Sequence, residues 1–112
     1  MLVIEYDPKD KSNLIPDAEI DWFVKRHIEQ YIAFTDMYGD FNQQITVSQE
    51  LIVLRFRVAI VKQEIKYTEI GFMYNNELLL PFPAGTFKHW PTGFCELSTN
   101  YLAAMVSRRK EI

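Results

Sequence analysis

The chain has 112 residues, inside the size range of one domain and too short for two ordinary ones. Hydrophobic residues make up 48% and charged residues 24%, a balance that excludes intrinsic disorder, which needs low hydrophobicity and high net charge. The formal charge of −3 excludes the domain-wide basic field of a general nucleic-acid binder.

In chain order, Met1 to Tyr6 reads as a short buried strand that runs into a polar turn from Asp7 to Asn13. Pro16 and Asp17 then open the clearest helix. Ile20, Phe23, Val24, His27, Ile28, Tyr31 and Ile32 recur at spacings of three and four, which places them on one face. Gly39 lies beyond its end, and Gln44 to Val47 reads as a second strand. The next segment, Ser48 to Lys62, supports two readings. Ile52, Leu54, Phe56, Val58 and Ile60 alternate with Arg55 and Arg57 like a half-buried strand. Its length, with Ser48 as an N-cap and Glu50 in the first turn, allows a helix.

Tyr67 to Tyr74 and Glu77 to Leu80 flank Asn75-Asn76, a hairpin signal because Asn tolerates positive φ. The stretch from Pro81 to Phe94 holds prolines and glycines that deny it regular structure, yet it is rich in aromatics, so it is expected to strap across the body. Leu97 to Arg109 reads as a closing helix, with Leu97, Tyr101, Leu102 and Met105 on one side. Its basic end, Arg108-Arg109-Lys110, suits the negative pole of a helix. The 112 residues are expected to form a single domain, with no internal repeat or linker.

Chemistry is sparse along this chain. The single cysteine, Cys95, precludes an intrachain disulfide and suits a reducing compartment. With no apolar run near the ~20 residues of a membrane span and no leader-like start, a cytoplasmic protein is expected. There is no G-x-x-x-x-G-K-[ST] or G-x-G-x-x-G loop, so no ATP binding in the P-loop manner is expected. His27 has no second and third ligand at metal spacing, and it reads as a half-buried structural histidine. Glu5 and Asp7 stand where a strand ends, a place where metal carboxylates occur, but two such acids commonly have no metal role. No cofactor and no metal are expected. Fourteen Phe and Tyr residues and two Trp exceed what so small an interior needs. Phe82, Phe87, Trp90, Pro91 and Phe94 are therefore the expected partner-binding residues.

Read in order, several segments resemble the C-terminal half of an ABC-type ATPase domain, of the SMC- and OLD-like AAA family found in bacterial anti-phage and retron-associated systems. Leu2-Val-Ile-Glu-Tyr-Asp-Pro8 is similar to that family's acidic strand, and Leu14-Ile-Pro16 to its leucine-His-Pro motif. Ile45 to Ile60 looks like the strand ending in Thr-His-Ser-Glu with the helix after it, and Trp90-Pro-Thr-Gly-Phe94 matches a Trp-Pro-x-Gly-Phe tail. The resemblance implies a helix from Ser48 and an α/β fold, a small βαβαββα sandwich with a partly parallel sheet. Without it, the same residues would give an α+β antiparallel meander with flanking helices. The family's catalytic glutamate falls at Tyr6, its switch histidine at Val47 and its motif histidine at Ile15, while Glu5, Thr46 and Ser48 keep polar groups. A phenol does not polarise an attacking water near neutral pH.

The resemblance thus implies a degenerate, non-enzymatic domain. The expected function is a protein-interaction subunit or regulator that binds a cytoplasmic ATPase or nuclease, in a bacterial anti-phage defence complex or as a phage-encoded mimic. Alternatives are self-association as a structural homo-oligomer, a small hydrolase using Cys95, His89 and a carboxylate, and nucleic-acid binding through Arg55, Arg57 and the terminal basic cluster.

Overall fold

The computed structural model describes residues 1–11 and 14–95. Strand β1 (Leu2–Tyr6) is followed by a 3-10 turn at Asp17–Glu19 and helix α1 (Ile20–Tyr38). Strand β2 (Gln43–Val47), helix α2 (Glu50–Val61), a second 3-10 turn at Tyr67–Glu69, strand β3 (Ile70–Tyr74) and strand β4 (Glu77–Leu79) complete the described elements. The strands form one sheet in the order β2-β1-β3-β4. β1 pairs in parallel with both β2 and β3, and β3 pairs antiparallel with β4. This is the mixed α/β sandwich that the resemblance implies. The antiparallel meander is overturned, and the expected closing helix, Leu97 to Arg109, lies outside the described residues.

Topology explains why Ser48 to Lys62 is a helix despite its alternation. β2 and β3 lie parallel on either side of β1, so the chain between them must travel back along the sheet, and a helix is the usual solution. The segment is apolar all round: nine of its residues are buried, among them Val53, Ala59 and Val61, which the strand reading assigned to no face. A helix of that kind belongs in an interior. It starts at Glu50 and not at Ser48. Gln49 holds the N-cap position, but its amide is used elsewhere: Oε1 accepts from the Ile15 N–H (2.6 Å) and Nε2 donates to the Ile15 carbonyl (2.7 Å). The Gln49 side chain thus pins the loop after β1 to the start of α2.

Helix α1 is ended by Gly39 at φ 78°, whose N–H donates to the Thr35 carbonyl. Its buried line is Ile20, Val24, Ile28 and Tyr31, while Ile32, expected on that face, is 38% exposed. The hairpin forms as expected, with Asn75 and Asn76 both at positive φ (50° and 64°), the requirement of a two-residue turn with the strand twist.

Registers sort the sheet into two faces. Leu2, Ile4, Tyr6, Ile45, Val47, Ile70, Phe72 and Leu79 share the front, because paired residues point the same way. Both helices pack there. Ile20, Val24 and Ile28 of α1, and Ile52, Phe56 and Ile60 of α2, join Leu2, Ile4, Ile70 and Phe72 in one core. Each such side chain contributes roughly 1.5–3 kcal/mol by leaving water. A smaller buried group, Leu54, Val58 and Val61, lines another side of α2 at helical spacing.

Candidate functional site

The aromatic strap is built around a buried arginine. Arg57, on α2, has no exposed surface, and its Nε–H donates to the Gly85 carbonyl at 2.8 Å. Its guanidinium carbon lies 4.6 Å from the Trp90 ring centroid and 5.7 Å from that of Phe87. Rings close the cage: Phe87–Trp90 at 5.2 Å, Trp90–Phe94 at 5.4 Å and Phe72–Phe87 at 5.3 Å. A tight loop sets the approach, with Phe82 N–H donating to the Thr86 carbonyl and Gly85 N–H to the Phe82 carbonyl. Burial pulls the Arg57 pKa down to about 10, so it stays charged at neutral pH.

This packing corrects the expected partner-binding set. Phe94 is fully buried against Tyr6 and Tyr74, and it has no surface to offer. Phe87 and Trp90 are half-buried and turned onto Arg57, and Pro91 is half-buried beside them. Of the five, only Phe82 is exposed. The surplus of aromatics that read as surface is mostly a second layer of core. Arg57 is likewise closed to phosphate, and Arg55 lies 3.0 Å from Asp21, so neither is a free arginine for nucleic acid.

The remaining candidate residues are dispersed. Cys95 is buried, and burial, then Glu50, pushes its thiol well above its ordinary value, while Arg57 opposes them. A nucleophilic cysteine needs the opposite environment. His89 is largely exposed and lies 3.7 Å from Glu77. His27 is half-buried against Phe23, with Nδ1 2.8 Å from the Phe23 carbonyl, a structural role in keeping with its spacing. Glu5 accepts from the Thr46 hydroxyl at 2.9 Å, and Asp7 accepts from the Lys9 N–H at 3.0 Å. Both acids border a cleft of about 420 Å³ at the C-terminal ends of β1 and β3, shared with Tyr6, Tyr74, Asn75 and Asn76. Open α/β sheets bind ligands at such strand ends. Among the described residues no group of three His, Cys, Asp or Glu gathers to hold a metal. Tyr6, at the position of the resembled glutamate, stacks on Tyr74 at 5.9 Å. Burial, reinforced by Cys95, Glu50 and Tyr74, pushes its pKa up to about 12. Val47 and Ile15 are packing residues.

The feature the sequence did not disclose is the back of the sheet. One row across it runs Gln44, Val3 and Gly71, and the next runs Thr46, Glu5, Met73 and Leu78. Leu78, Leu80 and Met1 converge over Gly71: a Cβ there would lie 3.2 Å from Leu78 Cδ1, 3.2 Å from Met1 Sδ and 3.6 Å from Leu80 Cδ2. Both leucines stay open to solvent, at 46% and 57%, and Phe82, also 46% exposed, follows shortly in the chain. The face is polar over β2 and apolar over β3 and β4. Parallel strands normally have both faces covered. The run Leu78-Leu79-Leu80 carried the signal, since alternation allows only its middle member to share the front face.

No protein family, curated protein or solved structure matches this chain. Its class is defined by the fold alone, a small mixed α/β domain in which no described helix is long and apolar enough to cross a membrane.

Proposed function

We propose that this chain is a non-catalytic protein-interaction subunit whose sheet back, over β3 and β4, docks on a partner protein. One observation carries the reading: parallel strands with an uncovered face on which Leu78 and Leu80 are about half exposed beside Met73 and Met1. Burying such leucines is the ordinary driving force of association. The resemblance to ATPase domains supports an ATPase or nuclease as the partner, in a bacterial defence complex or in a phage protein that imitates one. The positions where that family does its chemistry support a non-catalytic role: Tyr6 is stacked in an aromatic cluster, and Val47 is core.

The test is capture from the native cell, with the wild-type chain beside a Leu78→Glu/Leu80→Glu variant. Both side chains are exposed, so the variant should fold with stability within ~0.5 kcal/mol of wild type. One ATPase or nuclease recovered in stoichiometric amount by the wild type, and lost by the folded variant, is the expected result. Equal recovery by both would overturn the role of this face. A wild-type dimer in solution that the variant dissolves would identify a second copy as the occupant. A strict monomer that captures nothing would overturn the interaction reading.

A further inference from the structure

A second surface lies away from the sheet back, at the C-terminal end of α1. Phe34, Met37 and Tyr38 are 42%, 71% and 68% exposed there. Phe34 stacks on Tyr38 at 6.0 Å and on Phe41 at 5.3 Å, so these rings form a continuous apolar ridge. Exposure of this much aromatic and sulfur surface on a helix end is a contact-site feature.

The charge around the ridge has one sign. From His27 to Leu54 the sequence contains no Lys or Arg, while Glu29, Asp36, Asp40 and Glu50 fall in that span. Asp36 stands in the last turn of α1, where the helix carbonyls already concentrate negative charge, and that turn holds no basic residue. Asp40 follows directly. It is close enough to the ridge that its charge reaches the Tyr31 hydroxyl, whose ring lies 6.4 Å from that of Phe41. Neither aspartate forms an ion pair among the described residues. The amino-terminal ammonium of Met1 is spent on the Phe41 carbonyl and Asn42 Oδ1. Acids at a helix C-terminus weaken the helix, and nothing in the fold offsets these two.

We infer that Phe34, Met37, Tyr38 and Phe41, with Asp36 and Asp40, form a docking end for a protein segment that carries arginine or lysine beside apolar side chains. The inference rests on the reading of this chain as an interaction subunit and adds a second, separate contact to it. Charge selects the occupant. A second copy docked isologously would bring Asp36 and Asp40 against their own counterparts, and nucleic acid or an anionic membrane would meet like charge. An arginine can instead pair with the carboxylates and lie on the open faces of Phe34 and Tyr38.

The experiment uses two synthetic helical peptides with the same leucine face, one flanked by Arg and the other by Gln. Each is titrated into the ¹⁵N-labelled full chain, and amide shifts are followed by NMR. The Arg peptide should bind about tenfold more tightly than the Gln peptide and shift amides from Phe34 to Phe41. That advantage should collapse in ~0.5 M NaCl, where charges are screened beyond a few ångströms. It should vanish in an Asp36→Asn/Asp40→Asn variant. Equal binding of both peptides, shifts centred elsewhere, or an Asn variant that keeps the preference would overturn the inference. Leu78→Glu/Leu80→Glu should leave this binding unchanged, so its failure and failure of the sheet-face reading are seen at different residues.

Discussion

Replacing Arg57 with methionine sets two large effects against each other. Burial of the guanidinium is costly: the fall of its pKa from 12.5 to about 10 corresponds to roughly 3 kcal/mol. A methionine of similar reach would relieve that cost and could add sulfur–aromatic contacts worth about 0.3–1.5 kcal/mol. Against this stand the contacts that Arg57 makes. Its hydrogen bond to the Gly85 carbonyl is charge-assisted, worth about 1.5–3 kcal/mol, and its loss strands a buried acceptor at a further ~1–3 kcal/mol. Two ring contacts, desolvated and at 4.6 and 5.7 Å, add about 1–2 kcal/mol each. The contacts win, and Arg57→Met is expected to destabilise by about 2 kcal/mol, with a fall in Tm of roughly 10 °C for a domain of this size. Arg57→Ala should cost more, about 4 kcal/mol, because it also leaves a cavity. Urea denaturation followed by tryptophan fluorescence and far-UV circular dichroism measures both. An Arg57→Met protein as stable as wild type would show that the strap is held by apolar packing alone and refute the cage.

Cys95 makes alkaline pH destabilising. Its folded thiol is held protonated well above the ordinary value, whereas the unfolded chain loses that proton near pH 9. The unfolded state therefore binds fewer protons above that pH, and stability should fall by up to ~1.4 kcal/mol per pH unit beyond it, with Tyr6 adding to the fall above pH 10. Urea melts at pH 8, 9 and 10 should show this slope in wild type and not, between 9 and 10, in Cys95→Ala; a flat wild-type profile would contradict it. Gly93 is at φ 85°, and a Cβ there would lie 3.0 Å from the Tyr74 hydroxyl oxygen. Gly93→Ala should therefore cost about 1–2 kcal/mol in thermal or urea melts, and a neutral result would mean that the strap shifts freely.

What the sequence determined was local. β1, α1 and the β3–β4 hairpin follow from short-range rules: an apolar run before a polar turn, a 3.6-residue period closed by Gly39, and two asparagines able to take positive φ. Those preferences need no distant partner, so they are readable along the chain. The segment from Ser48 was not settled that way, because a run apolar on every side satisfies both periods. Its helical state follows from β2 and β3 lying parallel on either side of β1. The candidate site was legible in composition but not in location. An excess of aromatics said that some surface was apolar, yet Phe87, Trp90 and Phe94 look alike whether they face a partner or a buried Arg57. Only the crossing of the strap over α2 turns them inward, and only the sheet's registers leave Leu78 and Leu80 on the outer face with Leu79 inside. Burial is decided by what lies across the fold, and side-chain chemistry does not encode that distance.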